Sequence, residues 1–182
     1  ASCAAPPLAV PERAAAGPAR LGGTLRIARP AASAAETLDP ASSLSAYEYL
    51  GAIYNRVVRL DREGETIPDL ATEWSSNADA TTWDFRLRDG VRFHDGREFT
   101  ADDVAFTLAR IPTVVNSPGS FQTYFYSVRS TEVVDKLTLR LHTRGPDPLL
   151  PNGLSQVWII SRGVGTGANP EDYNTGRAAI GT

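Results

Sequence analysis

Methionine is absent from all 182 residues, cysteine occurs once, at Cys3, and lysine once, at Lys136. Each scarcity excludes something. With no Met, position 1 reads as a processed or cut end and not as a translational start. With a single Cys there can be no disulfide framework within the chain. With a single Lys the positive charge is almost all arginine, scattered singly, and the net charge is −3. We read these arginines as solvated side chains or local pairs, which leaves no face for phosphate or nucleic acid. No apolar run approaches the roughly 20 residues that a membrane-crossing helix needs.

The sequence also lacks a G-x-S-x-G elbow and the Gly-Lys-Ser/Thr ending of a phosphate loop. Gly163-Val164-Gly165-Thr166-Gly167 therefore reads as a flexible connector. His94-Asp95 beside Asp102-Asp103 invites a metal reading, but a metal site usually needs three or four ligands with a supporting shell. Asp95 has a turn role, Asp103 a capping role, and His94 can be a loop histidine. His142 has no acidic partner nearby in sequence. No catalytic constellation, metal or cofactor follows from these residues, so the chain reads as a non-enzyme.

What is present is an ordinary globular composition, 42% hydrophobic and 21% charged, long enough to bury a core. Thr82 to Leu108 is its most ordered stretch. Trp83, Phe85 and Leu87 alternate with Asp84, Arg86 and Arg88, the period of a half-buried strand. Asp89-Gly90 supplies a turn, Val91 and Phe93 continue on a second short strand, and Asp95-Gly96 turns the chain again. Thr100 can cap the next helix, with Asp103 at its third position, and Val104, Leu108 and Ile111 recur at helical spacing.

Around this block the pattern continues. Residues 1–21 are rich in Ala and Pro and read as a leader or flexible tether. Thr24 to Ala28 alternates as a first strand, and Thr37-Leu38-Asp39-Pro40 is a stiff bend in which Asp39 satisfies backbone donors. Leu50, Ile53, Tyr54 and Val57 are at helical spacing within Tyr47 to Leu60. Asp61 to Glu65 is a turn around Gly64, and Trp74 reads as core or as a lid over a hydrophobic cluster. Phe121, Tyr124, Phe125 and Tyr126 form an aromatic run suited to docking the segment or, less readily, to stacking on a ligand. Val128 to Val134 and Leu137 to His142 read as a hairpin, and Val157 to Ile160 as a buried strand.

Phe85, Leu87, Arg88, Gly90, Val91, Phe93, His94, Asp95 and Gly96, followed by Thr100 to Val104, resemble the signature of extracytoplasmic solute-binding proteins of the peptide/nickel class, family 5. The resemblance extends to G-G-T-L-R-I at Gly22, L-D-P at Leu38, I-P-x-L-A-x-x-W at Ile67 and the terminal Gly181-Thr182. It covers nearly all of the chain from Gly22 onward. It implies an α/β fold of the periplasmic-binding-protein type, class II with three domains. A mixed-sheet lobe would carry an inserted smaller α+β domain, and only the N-terminal part would be present.

By that resemblance residues 22–46 begin the first lobe, 47–156 form the inserted domain and 157–182 return into the lobe, stopping in mid-motif. The implied function is the substrate-binding component of an ABC importer, which captures a peptide or similar small solute and delivers it to the permease subunits. The implied state is a monomer in the periplasm, with no nucleic-acid partner and no cofactor. Ala34, Ala35, Thr37, Tyr47 and Tyr124 would border the ligand cleft, with the tightest contacts in a second lobe outside these residues. Ala1-Ser2-Cys3 resembles the end of a lipoprotein signal, so Cys3 is a candidate lipid anchor that would tether the protein to the membrane. Leftover signal peptide and an incidental cysteine are the other readings. The alternatives in function are a non-transport scaffold or interaction module on the same fold, and a small hydrolase for which only scattered Ser, His and Asp speak.

Overall fold

Alternation along Thr82–Leu87 decides which side of the main sheet is covered: Trp83, Phe85 and Leu87 are buried, while Asp84 and Arg86 lie on the other face. The computed structural model describes Thr24, residues 37–42, 47–115, 117 and 120–182, with only the backbone of Tyr47 and Glu48. Residues Ala1–Ala31 form one unit and Ala32–Thr182 another. Of the first unit only Thr24, exposed, is described.

In chain order the second unit contains α1 (Tyr47–Ile53), β1 (Val58–Leu60), β2 (Thr66–Pro68), β3 (Ala71–Ser76), β4 (Thr82–Leu87) and α2 (Ala101–Arg110). Next come 3₁₀ turns at Ile111–Thr113 and Phe121–Phe125, then β5 (Val128–Asp135) and β6 (Thr138–Thr143). Three short helices follow, α3 (Leu150–Leu154), α4 (Arg162–Gly165) and α5 (Pro170–Asn174). β1 and β2 pair as an antiparallel hairpin, and the other four strands form an antiparallel sheet in the order β3-β4-β6-β5. Phe85 stands opposite Leu139, and Trp83 opposite Leu141. α2 lies against β5 and β6 and buries Val104 and Leu108 there.

The local turn chemistry holds where it was expected. Gly64, Gly90 and Gly96 all take positive φ, and Asp61 Oδ1 accepts from the amides of Glu63 and Glu65. The hairpin at Asp135-Lys136 forms, with Leu139 and Leu141 fully buried. Trp74 is half-buried against the core.

Three expectations need correction. The helix at Tyr47 stops at Ile53 instead of running toward Leu60. Asp69 takes the side chain of Asn55 at 2.7 Å and the amide of Arg56 at 3.0 Å, and Ala71 N donates to Val57 O at 2.7 Å. Those bonds take residues 55–57 out of the helix and lead them into β1, where the branched Val58 is at ease. Val91 and Phe93 do not make a strand; Arg92 and Glu98 share an isolated bridge across the Asp95-Gly96 turn. Val157 to Ile160 are buried as expected, yet form no strand beyond one bridge from Trp158 to Arg56. Ile159 N donates to Asn55 O and Ile160 N to Thr107 Oγ1, so their donors go to a loop and a helix side chain.

Candidate functional site

Asp39 behaves first as its sequence suggests: Oδ1 accepts from the amide of Ala41 at 2.9 Å, closing the bend around Pro40. It is fully buried, however, and that demands more than one backbone donor. Arg110, in the last turn of α2, donates Nη1 to Oδ1 at 2.8 Å and Nη2 to Oδ2 at 2.7 Å. The fork matches the carboxylate at both oxygens, the strongest geometry available to such a pair. Arg110 was among the arginines read as solvated or locally paired; it is buried, and its partner is 71 positions away. Its guanidinium lies 4.8 Å from the centre of the Tyr173 ring on α5.

The pair sits beside two buried phenols. Burial pushes Tyr173 up to about 12, with Arg110 acting against it, and raises Tyr54 still further, helped by Tyr173 and Asp39. Burial works to lower Arg110, but the hydrogen bonds and charge of Asp39 hold it above its ordinary value. Both phenols therefore stay neutral and Arg110 stays charged at neutral pH.

Arg110 is one of three polar residues in a stripe along α2. Asp103, at the third helical position, accepts at Oδ2 from the amide of Thr100 at 2.9 Å, half of a capping box, and at Oδ1 from the amide of Arg162 at 2.8 Å. Thr107 Oγ1 accepts from Ile160 N at 3.1 Å. Residues 103, 107 and 110 thus pin two distant segments, 160–162 and the bend at 39. The missed signal was this spacing: polar residues three and four apart beside the apolar stripe of Val104, Leu108 and Ile111.

Thr37 is buried and its hydroxyl is engaged, donating to Asn174 Oδ1 at 2.9 Å and accepting from Asp39 N at 3.0 Å. Tyr124 is 38% exposed and packs 5.8 Å from Phe121. It borders a shallow hollow of about 360 Å³ with Tyr126, Asp147, Leu149 and Asn152. Phe121 and Phe125 are buried beneath it, so the aromatic run docks the segment. Thr37 is thus held by α5, whereas Tyr124 lies over α3. Ala34, Ala35 and Cys3 lie outside the described residues, as does the side chain of Tyr47.

The remaining candidates have structural surroundings. His94 donates its amide to Gly181 O at 2.8 Å and accepts from Gly181 N at Nδ1 at 3.4 Å, so the signature hairpin holds the Gly-Thr segment. Asp95 Oδ1 accepts from Arg97 N in its turn. Strand pairing brings His142 an acidic neighbour from ten positions away: Glu132 stands 3.3 Å off on β5. The Gly163–Gly167 segment is no loose connector, because α4 packs Gly165 against Phe106 and Ile160. Among the described residues no group of three or more His, Cys, Asp or Glu could hold a metal ion, and no helix is long and apolar enough to cross a membrane.

Comparison with known proteins agrees with this frame. The family described as bacterial extracellular solute-binding proteins, family 5 (middle region), matches residues 65–182. Di/tripeptide-binding protein 2 of Pseudomonas aeruginosa is 30% identical over 176 residues, covering 79% of this chain and 33% of its own length. Among solved structures, NikZ from Campylobacter jejuni in complex with Ni(L-His) superposes with a TM-score of 0.67 at 27% identity, over 80% of this chain and 29% of that one. DppA from Helicobacter pylori, in complex with the peptide STSA, gives 0.67 at 25% identity, over 81% and 33%. The chain therefore spans a third or less of the length of these relatives.

Proposed function

The chain belongs to the bacterial extracellular solute-binding proteins, family 5, and from that membership we propose that the protein it comes from is the substrate-binding component of an ABC importer. It captures a di- or tripeptide, or a similar small solute, outside the cytoplasmic membrane and passes it to the permease subunits. The observation that carries this is the match of residues 65–182, which includes the folded signature hairpin and capped helix. The peptide class is supported by the relatives, one a di/tripeptide-binding protein and one solved with a bound peptide.

In this reading the protein is a monomer in the periplasm that performs no catalysis, and Cys3 is a candidate lipid anchor. Residues 22–46 and 157–182 belong to the first lobe, and 47–156 form the inserted domain. Ala34, Ala35, Thr37, Tyr47 and Tyr124 border the cleft, and a second lobe closes over the solute by a hinge and supplies the tightest contacts.

The test is mass spectrometry of the solute that co-purifies with the intact protein, followed by calorimetry with di- and tripeptides. Peptide recovered and bound supports the assignment; a non-peptide solute with no peptide binding overturns the ligand class. The isolated 182 residues are expected to bind no peptide at micromolar affinity, and tight binding by them would refute the role given to the second lobe.

A further inference from the structure

Gly181 is buried, and a side chain there would run into the carbonyl of Ile53 at the end of α1. Its N–H and C=O must therefore be satisfied inside the protein, and both are met by the same residue. Its carbonyl accepts from the backbone amide of His94 at 2.8 Å, and its own N–H donates to His94 Nδ1 at 3.4 Å. Thr182 is held beside it, donating Oγ1 to Asn55 Oδ1 at 3.3 Å, and Asn55 in turn donates to Asp69 at 2.7 Å. The backbone fixes where the Gly181 hydrogen points, so the bond to the ring has one direction. Nδ1 must present a lone pair, which places the proton of a neutral ring on Nε2.

The geometry points to His94 as a positioning residue that grips Gly181 at both N–H and C=O only while its imidazole is neutral, with the proton on Nε2. A second proton would occupy Nδ1 and set donor against donor, leaving a buried amide without its acceptor. The His94 residue is exposed, so the ring can take that proton from solvent. On its own turn His94 is flanked by Asp95, paired with Arg97, and by Arg92, which donates to Gly96 O. The segments against Gly181 and Thr182 add Tyr54 and Asp69. Carboxylates, guanidiniums and phenols ordinarily titrate outside about pH 5.5–8, which leaves imidazole as the group that changes in that window. In the division of the chain proposed above, His94 lies in the inserted domain and Gly181 in the first lobe, so the grip seats one on the other. That consequence rests on the proposed reading, whereas the grip itself does not.

The experiment measures amide exchange of Gly181 by NMR in the intact protein with isotope-labelled glycine, as a protection factor between about pH 8 and about pH 5.5. Protection is expected to fall about 5- to 10-fold over that range, as one hydrogen bond is lost. Gly96, whose amide donates to Phe93 O in the same hairpin, should stay constant. H94N carries an acceptor oxygen near the place of Nδ1 that does not titrate, so it should keep Gly181 protected at every pH. H94A should be weakly protected throughout. Ring-nitrogen shifts of the parent near pH 8 should show the Nε2–H tautomer. Constant protection of Gly181 in the parent, an equal fall in H94N, parent-like protection in H94A, or an Nδ1–H tautomer overturns the inference. None of these readouts involves the solute, so they stand or fall apart from the assignment as a binding protein.

Discussion

Arg110 and Asp39 meet through two parallel hydrogen bonds of 2.8 and 2.7 Å, although 71 positions separate them in sequence. The contact joins the C-terminal turn of the helix after the family signature to the bend that contains L-D-P. Together with the bonds from Thr37 and Leu38 to Asn174, it holds the 37–42 segment from two sides.

Because both partners are buried, removing one leaves the other as an uncompensated charge. Arg110→Met is expected to cost about 3–5 kcal/mol, and adding Asp39→Leu should recover much of that loss. Urea denaturation of the parent and the two variants measures it. A single R110M variant within about 1 kcal/mol of the parent would show that the pair is not a fastener.

Two glycines have no room for a methyl group. A Cβ on Gly181 would lie 1.7 Å from Ile53 O, and one on Gly153 2.0 Å from Tyr124 O, both backbone atoms that cannot swing away. Gly181→Ala and Gly153→Ala should each lose about 1–3 kcal/mol or more. Gly145→Ala, with nothing within 4 Å, should change stability by less than about 0.5 kcal/mol. Thermal melts of the three variants decide the matter, and equal losses at all three positions would contradict the packing described.

Asp103 is both helix cap and tether. Asp103→Ala frees the amides of Thr100 and Arg162 together, so its cost should reach the upper part of the roughly 0.5–2 kcal/mol typical of lost caps. Hydrogen exchange separates the two roles: the amide of Arg162, 59 positions away, should exchange faster in D103A. Unchanged protection at Arg162 would limit Asp103 to capping.

Asp84 gives a pH signature. Its hydrogen bonds from Arg140, at 2.7 and 3.0 Å, hold its carboxyl below the ordinary 3.8, with slight burial opposing. A depressed folded-state value stabilises the protein above the unfolded value, and that contribution disappears as pH falls through the folded one. Both side chains are over a third exposed, so the pair contributes little at neutral pH. The difference between parent and D84N should be fully present at pH 7 and shrink as pH falls below the unfolded value, and a carboxyl titration followed by NMR should place Asp84 below 3.8. A gap that does not shrink in acid, or a value above 3.8, would refute the pairing.

The chain by itself determined those features whose causes lie within a few residues. Trp83, Phe85 and Leu87 took one face because strand geometry sends alternate side chains to opposite sides; Gly90 and Gly96 turned because they tolerate positive φ; Asp103 sat at a helix start because free amides gather there. The same regularity made the family signature readable. Tertiary structure decided what depended on a distant partner. Asp69 ended the helix at Ile53, Thr107 drew the amide of Ile160 out of any ladder, and Asp39 found Arg110. Periodicity records which residues are buried, but a buried donor or acceptor must be satisfied by whichever group the fold brings near. In Asp39, Thr107 and Arg110 that group lies 53 to 71 positions away, beyond the reach of local pattern.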